Sequence, residues 1–248
     1  MRKYQFKSPP QHSIGRPKPA IDEIYHVYNR GVDKRDVFLD TKDYWRFIHD
    51  LYEFNDSSPA GKLYLLKKSQ EKEKNSEIGS PKIKLKREIL VEILAFCLMP
   101  NHYHLMLRQQ CENGVSEFMK KIGIGYTSYF NQKYEREGAL FQGKYKLVHV
   151  TEDNHFEHLP YYIHLNPLDL VMPEWRDGIL KNKEDVFHFL ETYRWSSFLD
   201  YIGKKNFPSV TQRTFLEGIL GSTTAQKQNM IEWITRNKLE EVEHIALE

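Results

Sequence analysis

The stretch from Ile89 to Arg108, ILVEILAFCLMPNHYHLMLR, constrains the fold more than any other part of the chain. Two apolar runs are separated by Met99-Pro100-Asn101, and Pro and Asn preset or tolerate the dihedrals of a tight turn, so the pattern predicts a β-hairpin. After the turn, strand alternation puts His102 and His104 on one face and Tyr103, Leu105 and Leu107 on the other. At a rise of ~3.3 Å per residue the two imidazoles start roughly 6–7 Å apart, close enough for their side chains to converge on one ion. Taken alone, the pair is a weak signal and reads more simply as a half-exposed couple of strand histidines.

The flanking segments supply the remaining elements. IYHVYNRG, with Ile24 and Val27 among aromatics, reads as a strand ending at Arg30-Gly31. Thr41 offers an N-cap to a helix carrying Tyr44, Phe47, Ile48 and Leu51 at helical spacing. After Gly114 a second helical stripe runs through Val115, Phe118, Ile122, Tyr126, Tyr129 and Phe130, with Gly123 and Gly125 weakening its middle. ALFQGKYKLVHV alternates like a strand, and Thr151 can cap a last core helix, EDNHFEHLPYYIHLN, that Pro167 helps to close. The order strand, helix, hairpin, helix, strand, helix predicts an α+β sandwich with helices against one face of a mostly antiparallel sheet.

At 248 residues the chain can bury a sizeable core without disulfide or metal staples. Its two cysteines, Cys97 and Cys111, form no CxxC pair and favour a reducing compartment. There is no signal-like apolar segment at the N-terminus and no run of eighteen apolar residues, so the expectation is a cytoplasmic protein with no membrane partner. Residues 1–20 hold five basic residues, no acid and four prolines, the composition of a flexible basic arm. Residues 67–89, rich in Lys, Glu and Ser, read as an exposed excursion.

With 36 basic against 34 acidic residues, net charge does not announce a nucleic-acid binder, so local charge must decide. Residues 120–146 hold six basic and two acidic residues, with Tyr126, Tyr129, Tyr134, Phe141 and Tyr145 interleaved. A single-strand surface needs that mixture for phosphate contacts and base stacking. A helix with a solvated basic face and an aromatic core stripe explains most of the same aromatics.

The second chemical motif is YYIHLNP, residues 161–167. Tyr162 and Asn166 are four apart and share a helical face, presenting a hydroxyl and an amide one turn from each other. By itself this too fits a plain role, an amphipathic tyrosine and an Asn cap before Pro. Combined with the histidine pair, it offers two neutral imidazoles and an amide oxygen around a divalent ion, leaving positions for phosphate oxygens. It also offers a tyrosine that can carry a broken phosphodiester covalently.

MPNHYHLML and YIHLNP, flanked by YHVYNRG, SYFNQKYEREGALFQGKYK and YRWSSF, together resemble the REP-associated tyrosine transposases of the single-tyrosine HUH superfamily over roughly residues 20 to 203. The resemblance implies a ferredoxin-like (RRM-like) core, a Mg²⁺ or Mn²⁺ ion, and single-stranded DNA with hairpin ends as substrate. It also implies cleavage and joining through one tyrosine. Carried over by position, it makes His102 and His104 metal ligands, Asn166 the helical third ligand and Tyr162 the nucleophile, with Tyr161 and Tyr145 as bystanders. Residues 204–248 match no motif. Lys144 and Lys146 beside FQG, and then Arg30 and Arg194, are the expected DNA contacts. Competing readings are a domesticated, non-cleaving nucleic-acid-binding regulator and an RRM-type RNA binder, the latter lacking the aromatic strand signature. The resemblance accommodates either a monomer or a homodimer.

Overall fold

A computed structural model describes residues 18–58, 87–179, 182–221, 223–236 and 239. Most of the expected basic arm, and the charged excursion up to residue 86, lie outside the described residues. The core elements are β1 (Ile24–Arg30), α1 (Thr41–Glu53), β2 (Val91–Met99), β3 (His102–Gln109), α2 (Gly114–Lys133), β4 (Lys146–His149) and α3 (Asp153–Leu165). The strands form one antiparallel sheet in the order β2-β3-β1-β4. With α1 between β1 and β2 and α2 between β3 and β4, this is the ferredoxin-like arrangement.

The hairpin turns at Pro100-Asn101, with Met99 paired to His102. The histidine strand is internal, flanked by β2 and β1, and the register sets Cys97, His104, Tyr28 and Lys146 in one row across the sheet. Arg30 and Met99 flank His102 in the next row. Side chains in a row share a face because the pleat has period two, so pairing alone brings both histidines beside Tyr28, Arg30 and Lys146.

Helices cover both faces of the sheet, correcting the expectation of one. Tyr103, Leu105 and Leu107 face α1 and α2 in a core with Phe47, Leu51, Phe118 and Tyr126. Met106, Ile24, Ala95 and Cys97 face α3 in a second core with Leu159, Ile163 and Leu165. The physical reason lies in β2, where Val91 and Ile93 to Met99 are all buried. Such a continuous apolar run marks a strand covered on both sides.

Beyond α3 come two 3₁₀ turns, Asn166–Leu170 and Pro173–Asp177, then α4 (Lys183–Thr192), α5 (Phe198–Tyr201), α6 (Thr214–Leu220) and α7 (Thr223–Thr235). Residues after 203 join both cores: Phe207 and Val210 the first, Leu216, Met230, Trp233 and Ile234 the second. Segment 193–212 also closes the outer edge of β2. The Phe96 amide donates to Ser197 Oγ, Leu98 N to the Trp195 carbonyl and Ile93 N to Gln212 Oε1. Covering an edge strand in this way satisfies its ladder groups and blocks pairing with other chains.

Two caps differ from expectation. Asp40, not Thr41, caps α1 through a reciprocal box with Asp43, whose carboxylate also accepts from Tyr129, Tyr134 and Lys133. The anion is better matched than a hydroxyl to that cluster of donors. For α3 the N-cap is Glu152 with no side-chain cap bond, so Thr151 does not serve.

Gly123 and Gly125 lie inside one unbroken helix for different reasons. A Cβ at Gly125 would sit 2.4 Å from the Phe54 ring, whereas one at Gly123 meets nothing within 4 Å. Gly125→Ala should therefore lose roughly 1–3 kcal/mol relative to Gly123→Ala, while Gly123→Ala should gain up to about 1 kcal/mol of helix propensity. Urea denaturation of the two variants checks this, and equal midpoints would contradict the close approach of α2 to Phe54.

Candidate active site

Strand β3 and helix α3 bring four of the expected site residues together. His102 and His104 project from the same face of β3, their ring centroids 4.9 Å apart. The Tyr162 ring meets His104 edge-on at 5.5 Å and His26 at 6.2 Å. Asn166, just past the end of α3, is within hydrogen-bonding reach of His102. Tyr161 turns elsewhere, toward Trp233 and Asn229. Helix periodicity thus separates the two tyrosines as expected.

Each imidazole is held at its inner nitrogen. His102 Nδ1 lies 2.6 Å from Asn101 Oδ1, so its Nδ1–H donates there and Nε2 keeps its lone pair. His104 Nδ1 lies 3.0 Å from His26 Nε2, and the tautomer in which Nδ1–H donates leaves His104 Nε2 as the lone-pair atom. That atom is buried and has no hydrogen-bond partner. A buried polar atom left unmatched is costly, and an orienting partner on the other ring nitrogen is the usual support of a metal-binding histidine. Among the described residues no three His, Cys, Asp or Glu side chains cluster to hold a metal. The side chain of another type that stands beside His102 is the Asn166 amide.

Asn166 is itself restrained. Its Nδ2 donates to the Tyr162 carbonyl at 2.8 Å, and its Oδ1 accepts from Arg176 Nη2 at 3.4 Å. Arg176 grips Asp169 through two nitrogens, at 2.9 and 2.6 Å, and lies 5.6 Å from the Tyr162 ring centroid. His26, Asp169 and Arg176 were not singled out in the sequence. His26 alternates in phase with Tyr28 and Arg30 and pairs with the histidine strand, a signal that was available. Asp169 and Arg176 stand in a stretch without periodicity.

A cleft of about 300 Å³ opens onto the histidines, walled by Tyr28, Arg30, His102, His104, Gln142 and Lys146. Of the expected DNA contacts, Arg30 and Lys146 line it, and Lys144 lines a neighbouring groove. Arg194 does not reach either hollow. It lies beyond β2, at the other edge of the sheet from Lys146, with its guanidinium stacked on Trp45, Trp195 and Phe207. The backbone bonds that seal β2 hold this segment there, apart from the cleft that Arg30 and Lys146 line. Tyr162 has 0% exposure and is not part of the cleft wall.

Residues 67–166 match the sequence family described as IS200-like transposases. Over this stretch, which is less than half of the chain, it is similar to the IS200-like transposases. The IS200-like stretch contains both histidines, Tyr162 and Asn166, whereas His26 and Arg30 precede it. No curated protein matches the chain. A solved structure of a REP-associated tyrosine transposase bound to a REP hairpin aligns with 82% of this chain and 96% of that one, at 14% identity and a TM-score of 0.43. Among the described residues no helix is long and apolar enough to cross a membrane.

Burial shapes the site's protonation. Desolvation, then repulsion from Arg30, pushes His102 down to about 4. Desolvation and the neighbouring His102 and His26 rings push His104 well below its ordinary value. His164, enclosed behind the site and bonded to Ser197 Oγ, is pushed down to about 3 by burial. All three are neutral at pH 7, the state in which an imidazole can act as a ligand.

The sign of the pH effect follows. The unfolded chain takes up protons on these histidines below about 6.5, while the folded chain does not until the lowered values are reached. Stability is therefore full above about 6.5 and is lost as pH falls toward 4 for His102 and toward 3 for His164. Each histidine contributes a slope of up to about 1.4 kcal/mol per pH unit. Asp50, raised to about 6 by burial, acts in the opposite sense below that pH and offsets part of the slope. Urea midpoints of the metal-free protein should fall steeply from pH 7 to pH 4, and His164→Gln should flatten the profile. A profile level across that range would contradict the buried neutral histidines.

Proposed function

We propose that this protein is a metal-dependent single-stranded DNA endonuclease and strand transferase, a transposase-type enzyme with Tyr162 as nucleophile. The observation that carries the reading is the convergence of His102, His104, Asn166 and Tyr162 from β3 and α3 beside a cleft bearing Arg30 and Lys146. The family match over residues 67–166 supports it. Substrate DNA with hairpin ends and a Mg²⁺ or Mn²⁺ ion follow from the family likeness read in the sequence.

His102 and His104, through Nε2, and Asn166, through Oδ1, would hold the divalent ion. Bound there, such an ion supplies Lewis-acid polarisation of phosphate oxygens and a fixed position for them. Arg30 and Lys146 hold the flanking phosphates by charge-assisted contacts. Tyr162 Oη forms a bond to phosphorus and loses its proton, the bond from phosphorus to the 3′ oxygen breaks, and the 3′ oxygen leaves as a hydroxyl. The 5′-phosphotyrosine that remains retains the energy of the cleaved linkage for rejoining to another 3′ hydroxyl.

Incubation with 5′- or 3′-labelled hairpin DNA from the flanks of the protein's own gene, with Mg²⁺ or Mn²⁺, tests the reading. A denaturation-resistant protein–DNA adduct that needs the metal is expected. Tight binding without an adduct at any metal concentration would instead support a non-cleaving regulator, a reading favoured by one observation, the complete burial of Tyr162.

A further inference from the structure

Beside the catalytic cleft runs a larger groove, of about 540 Å³, between α2 and segment 139–145. The cleft and the groove lie on opposite faces of the sheet and meet at Asn29 near the end of β1, whose side-chain amide donates to the Gly143 carbonyl. Segment 142–146 walls both hollows: Lys144 faces the groove and Lys146 the cleft. A chain passing from one hollow to the other would wrap this segment and meet a lysine on each side.

Gly123 forms part of the groove wall, and it is the glycine of α2 that internal packing does not explain. A glycine inside a helix is destabilising, and at Gly125 the nearby Phe54 ring accounts for it. At Gly123 nothing beyond its own stretch of helix lies within 4 Å of the missing Cβ, so what a side chain would occupy there is the groove itself. Both walls are apolar nearby, at Ile124 of α2, 62% exposed, and at Leu140 and Phe141 opposite. Lys120 stands on the α2 wall and Lys144 on the wall opposite, no described residue forms an ion pair with either, and no acidic residue lines the groove. Its volume falls in the range of roughly 300–1,000 Å³ typical of small-ligand sites.

We infer that this groove is a nucleobase site that takes an unpaired base of the same single strand whose phosphate enters the cleft. Apolar walls accept the flat faces of a base, and the two lysines meet its flanking phosphates. The inference rests on the proposed function for the strand's presence and adds a determinant of which nucleotide is accepted beside the scissile phosphate.

The test scans a single-stranded oligonucleotide with one abasic position at a time and reads affinity by fluorescence anisotropy without metal, so that it does not depend on cleavage. Wild-type protein should lose about tenfold in affinity at one or two adjacent positions, as expected for one lost stacking contact. Gly123→Leu, which fills the groove and favours the helix, should raise the melting temperature. It should also bind intact and abasic strands equally. Ala139→Leu fills the groove from the exposed opposite wall and should act alike even if the helix variant misfolds. Affinity that is indifferent to base removal everywhere in the wild type, or undiminished discrimination in a folded variant, would overturn the inference. Base-specific binding without any adduct would leave the groove standing and overturn the cleavage reading instead.

Discussion

Tyr162→Phe is expected to yield no covalent adduct with hairpin DNA and to lower strand cleavage by about 10⁴-fold or more, as removal of a nucleophile does elsewhere. The ring stays, so its edge contacts with His26 and His104 and the overlying Arg176 are preserved. Folding, metal binding and single-strand affinity should therefore persist. Tyr161→Phe is the control: its ring packs toward Trp233, away from the histidines, and its adduct yield should match wild type. Mass-spectrometric mapping of the phosphotyrosyl peptide decides the matter, because a label on Tyr161 or any other tyrosine would refute the assigned chemistry.

The second large effect belongs to His104. Its Nε2 is the buried lone-pair atom that no protein group satisfies, so His104→Ala should weaken Mn²⁺ binding, read by electron paramagnetic resonance, by well over about 100-fold. Metal-dependent cleavage should vanish with it, while DNA affinity, dominated by phosphate contacts, changes little. The truncation leaves His26 Nε2 without the ring it bonds, at a stability loss of about 1–3 kcal/mol, so the comparison needs a melting curve. His26→Ala acts one step removed, on the orientation of His104, and should weaken metal binding by roughly 10–100-fold. Unchanged Mn²⁺ affinity in His104→Ala would remove the ion from this location.

The hairpin and its histidines were legible because alternation and turn chemistry are local. The same holds for α2, whose stripe falls on buried positions apart from the half-buried Tyr129. What the sequence concealed depends on contacts between distant segments. The second helical layer was implied only by the unbroken apolarity of β2. Residues 193–212 carry no periodicity, since their role is to bond the edge of that strand through Ser197, Trp195 and Gln212. Arg194 stands on Trp45 and Trp195, which lie far apart in the sequence, so that stacking is visible only in the fold. Arg176 reaches Asn166 and Asp169 by a fold-back within 3₁₀ turns, which no regular period announces.

Pro160 sits inside α3, two residues before Tyr162. Having no amide hydrogen, it cannot donate the helical hydrogen bond that a residue at that position normally makes to the preceding turn. Downstream, the Asn166 side chain donates to the Tyr162 carbonyl and ties the last turn to itself. The helix is thus weakened on one side of the nucleophile and reinforced on the other. A load applied to this helix is taken up at Pro160, and Tyr162 and Asn166 travel as one piece. For a tyrosine that is wholly enclosed, that distribution of stiffness keeps the spacing between the proposed nucleophile and the proposed ligand fixed wherever the helix bends.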